Sequence, residues 1–88
     1  MNALKRAQIV YVSPSYREHA RWIIRSVTRE HTLTISEYDG FVGLGGGVNF
    51  ISQGGRVGFQ VNVTAAKRAD LSIDSRLLRM AQIYRETQ

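Results

Sequence analysis

Five of the chain's eight glycines fall in GFVGLGGGVNF, residues 40–50, a stretch that carries no charge. Two kinds of structure fit that composition. One is a phosphate-binding loop, in which successive backbone N–H groups point at an anion and the following helix N-terminus holds it. The other is a sterically open turn leading into a strand. Gly43, Gly45 and Val48 fall on the positions of G-x-G-x-x-G, so the third glycine is missing, and no Gly-Lys-Ser/Thr follows. More decisively, the next residues are VNFIS, which read as a strand, and the mechanism needs a helix there. The turn is the better reading.

The remaining reactive side chains do not assemble a site. His19 and His31 flank opposite ends of the first predicted helix and have no carboxylate cluster beside them, so they read as surface residues rather than a metal pair. Glu37 and Asp39 lie two apart in a loop that reads as solvated, whereas an acid/base pair needs one member shifted by burial. The seven serines have no partnered histidine and no nucleophile-elbow context, and Ser13, Ser15 and Ser72 already suit helix caps. There is no cysteine, which excludes disulfides, thiolate nucleophiles and thiolate-bound metals. The sequence therefore offers no catalytic, cofactor-binding or metal-binding residues.

One surface does stand out. With about 100° of rotation per residue, Arg17, Arg21, Arg25 and Arg29 drift round the side of the first helix away from Ala20, Ile23, Ile24 and Val27. Trp22 lies among the arginines. Tryptophan and arginine are the residue types enriched in binding hot spots. Three readings stay open: a protein contact (self-association included), packing within the chain, and a nucleic-acid surface. The net charge of +5 permits the last without requiring it.

The elements that must position these residues follow from pattern. QIVYV, residues 8–12, is a nearly continuous run of β-branched and aromatic residues, as in a strand covered on both faces. Ser13-Pro14 supplies an N-cap and first-turn proline, Ser15 and Glu18 an overlapping capping box, and a helix is predicted over 14–29. HTLTIS, residues 31–36, alternates, with Leu33 and Ile35 on one face, and makes a right-handed βαβ unit with parallel strands. Residues 48–52 and 56–62 form a hairpin closed by Gly54-Gly55. Asn62 caps a short helix over 63–69. Ser72 or Asp74 caps a last one through about residue 85, with Leu77, Met80, Ala81 and Tyr84 on one face.

The fold class is thus α/β: a βαβ unit, a β-hairpin and one or two C-terminal helices, in one domain over residues 1–88. Its 43% hydrophobic content suits a globular chain, no apolar run is long enough for direct membrane insertion, and residues 1–7 have no apolar segment after their charges to make a signal peptide.

From the second strand onward the segments LTISEYDGF, GGGVNF, RVGFQVNVTAAKRADL and SIDSRLLRMAQIY resemble, in order, the C-terminal portion of YfiR-type periplasmic regulators. The residues that carry the likeness are Ser36, Gly40-Phe41, Gly45-Gly46, Phe59, Asn62, Ala65-Ala66, Leu71, Ser75 and Leu77-Leu78; QIVYVS fits the segment before them. Gly47 stands where the family has a larger apolar residue, Asp70 where it has glycine, and Ala7 where it commonly has cysteine. The resemblance implies a non-enzymatic module in the periplasm, with no cofactor. It would bind the periplasmic domain of a membrane diguanylate cyclase and so lower cyclic-di-GMP output and biofilm formation. A structural subunit of an envelope assembly is the alternative, and nucleic acid the least favoured partner. The resemblance also implies that the chain corresponds to the C-terminal half of the usual family length; a sheet cut from a larger one has an unpaired edge and an uncovered apolar face, so a homo-oligomer, a dimer or larger, is expected.

Overall fold

A computed structural model describes residues 8–29 and 31–86; the leader reading of residues 1–7 and the substitution at Ala7 lie outside the described residues. Five strands, β1 (Gln8–Tyr11), β2 (Thr32–Ser36), β3 (Val48–Gln53), β4 (Arg56–Asn62) and β5 (Gln82–Tyr84), form one mixed sheet in sequence order. β1 and β2 pair in parallel, as the strand–helix–strand pattern requires, and β3 continues in parallel beside β2. β3 and β4 are the antiparallel hairpin. Gln53 opposes Arg56 across a two-residue turn, and Gly54 and Gly55 take φ of +56° and +79°, values that favour glycine at both positions.

The segment between β1 and β2 is not one helix. Pro14–His19 is a 3₁₀ turn, Tyr16 leaves helical geometry at φ −104° and ψ 19°, and α1 proper spans Ala20–Val27. Ser13 is the N-cap: its hydroxyl accepts a bond from the Ser15 N–H at 3.2 Å, and Glu18 takes no part. The expected capping box is therefore replaced by a tighter turn. Ala20 and Ile24 are buried, with Ile23 half-buried beside them.

A second correction concerns the C-terminus. α2 (Val63–Arg68) begins where expected, with the Asn62 side chain accepting from the Ala65 N–H at 3.0 Å. α3 (Ser75–Met80) is capped by Asp74 but stops at Met80, and β5 follows, parallel to β4. Leu77, Met80, Ala81 and Tyr84 have helical spacing, yet Tyr84 ends up in a strand and Met80 is 68% exposed. Ile83 and Tyr84 are good strand formers, and the otherwise open edge of β4 offers them backbone partners.

The core lies on the α1 side of the sheet. Val12, Ala20, Ile24 and Phe41 are buried together, and Tyr38 meets Phe41 edge-on with centroids 5.6 Å apart. In β2 it is Thr32, Thr34 and Ser36 that are buried on this side, while Leu33 and Ile35 are half-buried. Their register partners Ile9, Tyr11 and Val48 put Leu33 and Ile35 on the opposite face. The glycine turn explains itself sterically. A Cβ on Gly46 would lie 2.2 Å from the Phe41 ring, and one on Gly47 would lie 2.6 Å from Leu33 and 3.0 Å from the Thr34 carbonyl. Gly47 thus matches its surroundings, although the family pattern has a larger residue there. Asp70 takes φ +59° at the end of the α2 segment, the left-handed conformation that glycine would favour and aspartate tolerates.

Candidate interaction surface

α1 is short and strongly two-sided, and this division sets what its outer face can do. With Ala20 and Ile24 turned into the core, Trp22 is left 69% exposed, and Arg21 and Arg25 are exposed as well. The reading of Trp22 as packed within the chain is thereby excluded. Instead Trp22, Tyr16, His19 and Ile23 line a shallow apolar hollow of about 450 Å³, in which Tyr16 is also 58% exposed.

The four arginines do not form one band. Arg21 and Arg25 line a separate cleft of about 360 Å³ with Thr28, Gly45, Arg68 and Glu86. Arg17 and Arg29 border neither hollow. Arg17 acts on Tyr38: burial pushes that phenol's pKa up and the nearby guanidinium partly opposes it. Arg29 is exposed in the turn before β2, where its carbonyl accepts the Thr32 N–H at 3.1 Å.

Arg68 and Glu86 escaped the sequence reading because they lie 43 and 61 positions beyond Arg25, and only β5 brings Glu86 alongside α2. Arg68 donates from both terminal nitrogens to the two Glu86 oxygens, at 2.9 and 3.0 Å. Asn62 donates to the same carboxylate at 2.8 Å. The Arg68 bonds hold the Glu86 carboxyl below its ordinary pKa, partial burial opposes them, and the Asn62 bond assists.

The family-pattern residues are scaffold for this arrangement. Phe41 is fully buried beneath α1, and Asn62 joins three parts of the fold by capping α2, donating to the Val42 carbonyl at 3.1 Å and holding Glu86. Ala66 is buried in α2, Ala65 is half-buried, and the Leu71 N–H closes the segment on the Ala66 carbonyl at 2.9 Å. Gly45, at φ +104°, ends the short turn Val42–Leu44. On the far face of the sheet Phe59 tilts against Phe50, with Leu77 of α3 above them and Leu78 half-buried.

No group of three or more His, Cys, Asp or Glu side chains among the described residues could hold a metal, and no described helix is long and apolar enough to cross a membrane. The sequence profile of one family, described as YfiR/HmsC-like, matches residues 1–82. No curated protein and no solved structure matches the chain.

Proposed function

The chain belongs to the YfiR/HmsC-like family, and on that premise we propose that it is a non-enzymatic regulator working by protein–protein contact. The family points to periplasmic regulation of cyclic-di-GMP signalling. The partner in this reading is the periplasmic domain of a membrane diguanylate cyclase, held inactive by the bound module. The observation that carries the contact is Trp22: a large aromatic side chain 69% exposed, next to exposed Tyr16 and flanked by exposed arginines. Burying such a residue is favourable, and it is the type that dominates interface energetics.

Titration of the cyclase's periplasmic domain into the chain, followed by Trp22 fluorescence and calorimetry, tests this. Trp22→Ala is expected to weaken binding by about 2 kcal/mol, roughly 30-fold. Absence of any binding by the wild-type chain overturns the reading.

The same reading includes self-association. Ile9 and Tyr11 of the edge strand β1 are 66% and 55% exposed and continue into an apolar face that also carries Phe50 and Val57. A second copy offers both the backbone groups that the β1 edge lacks and an equal apolar surface. Light scattering is expected to give a dimer or larger; a monomeric mass at high concentration removes this part.

A further inference from the structure

The basic cleft beside α1 is built from four separate parts of the chain: Arg21 and Arg25 on α1, Gly45 in the glycine turn, Arg68 at the end of α2, and Glu86 beyond β5. Three guanidinium groups share it with one carboxylate. That carboxylate is already engaged, with both oxygens on Arg68 and a further bond from Asn62. Among the described residues no ion pair reaches Arg21 or Arg25. They sit one helical turn apart, a spacing at which like charges repel. Arg21 also lies in the first turn of α1, where the helix dipole disfavours a cation and no acidic residue compensates. Two adjacent cations in a concave wall, with no counter-charge supplied by the fold, favour an anion from outside.

The Arg68–Glu86 contact shows a carboxylate accommodated at the wall of this cleft. A carboxylate sits there in the two-pronged geometry that suits guanidinium groups. The apolar Trp22 hollow lies on the same helix, and Arg21 precedes Trp22 directly. The hollow and the cleft lie on opposite flanks of α1 and share no lining residue, so a partner laid across the outer face of the helix is what would reach both.

We propose that this cleft receives an acidic segment of the protein partner, whose Asp or Glu carboxylates pair with Arg21 and Arg25 beside the fixed Arg68–Glu86 pair. The inference rests on the reading of the chain as a protein-binding regulator and adds the place and chemistry of the contact.

Trp22, the only tryptophan, is the reporter. The full chain is titrated with a glutamate hexapeptide and with the matching glutamine hexapeptide. The glutamate peptide is expected to bind, more weakly as salt rises, and the glutamine peptide not to bind. The double variant Arg21→Glu/Arg25→Glu is expected to lose at least about tenfold in affinity. Arg56→Glu/Arg79→Glu, an equal charge change on exposed residues outside the cleft, should lose less than about threefold.

Equal losses in the two double variants overturn the proposal, since they mean attraction to net charge alone. Failure of the glutamate peptide to bind overturns it too. So does displacement of the peptide by inorganic phosphate at constant ionic strength, which assigns the cleft to a small free oxyanion. The cyclase domain separates the two levels of inference. If the peptide binds the cleft but the domain does not bind, the acidic-segment chemistry stands and the cyclase reading falls. If the domain binds wild type and the Arg21/Arg25 variant alike, the cleft inference falls alone.

Discussion

On the side of the sheet that α1 and α2 cover, the strands bury Thr32, Thr34, Ser36, Asn49 and Asn62, none more than 7% exposed. On the other side they leave Ile9, Tyr11, Phe50 and Val57 between 44% and 78% exposed. Among these strand residues the polar ones are covered and the apolar ones open, the reverse of ordinary burial preference, although Val61 of β4 is also buried, at 1%. The polar side is tolerable because its groups are paired. Ser36 donates to the Val12 carbonyl, Thr34 accepts from the Gly47 N–H, and Asn49 accepts from the Tyr38 N–H and donates to the Tyr38 and Gln60 oxygens. Directional bonds of this kind fix the loop from Tyr38 to Gly47 against the hairpin. The apolar side has no such constraint and covers only the β3–β4 region with α3. One face therefore specifies the fold, and the other is available for burial by something else.

The largest test of that division is at Phe41, where the specified face is densest. Phe41→Ala is expected to cost about 3–5 kcal/mol in urea unfolding. Gly46→Ala should also destabilise severely, because the added methyl meets the Phe41 ring. The double variant should be more stable than the sum of the two losses predicts, since removing the ring removes the obstacle. Strict additivity would break the link between the glycine turn and the core.

Asn49 gives the next effect. Asn49→Ala leaves the Tyr38 N–H and C=O without their partners, at about 2–3 kcal/mol. Asn49→Leu should be no better, although leucine is the more usual buried residue, because the Tyr38 groups still go unpaired. A stabilising Asn49→Leu would show that the polar face is not what holds the loop.

The inversion also marks the limit of what the sequence discloses. The Gly54-Gly55 hairpin and the Asn62 cap were legible because each depends on neighbours within a few residues, and the parallel βαβ unit because strand, helix and strand follow one another with short joints. Leu33 and Ile35 identified an apolar face but not which face the helices cover. That depends on Asn49 and Asn62 finding partners at residues 38, 42 and 86, which no local pattern records. Residues 82–84 failed for the same reason: their helical spacing was real, and the open edge of β4 outweighed it. In the candidate surface, the helical wheel set Trp22 opposite the buried stripe but left its packing within the chain open, and Arg68 and Glu86 required the tertiary fold.

On the apolar face the expected effects reverse in kind. Ile9→Thr and Val57→Thr should each change monomer stability by less than about 0.5 kcal/mol, because these side chains are already in water. The same substitutions should lower the oligomer's apparent mass in light scattering at a given concentration. A large stability loss with no change in mass would mean that this face is part of the monomer's own core.

The smallest effect contrasts two ion pairs. Arg68–Glu86 lies on the helix-covered side, with the Glu86 side chain 26% exposed, and Asp74–Arg76 caps α3 in the open. The folded-state pKa of Glu86 is depressed, chiefly by Arg68, so its stabilising contribution is present above the unfolded carboxylate pKa and is lost as pH falls through the folded value. Asp74 is depressed in the same direction by its bonds to Arg76, but it is solvent-screened. Glu86→Gln should therefore flatten the acid limb of a stability–pH curve in both low and high salt. Asp74→Asn should flatten it mainly in low salt, while keeping an oxygen to cap α3. Unfolding curves for the two variants between neutral and acid pH separate the cases. Equal salt sensitivity would show that the covered side shields its charges no better than the open one.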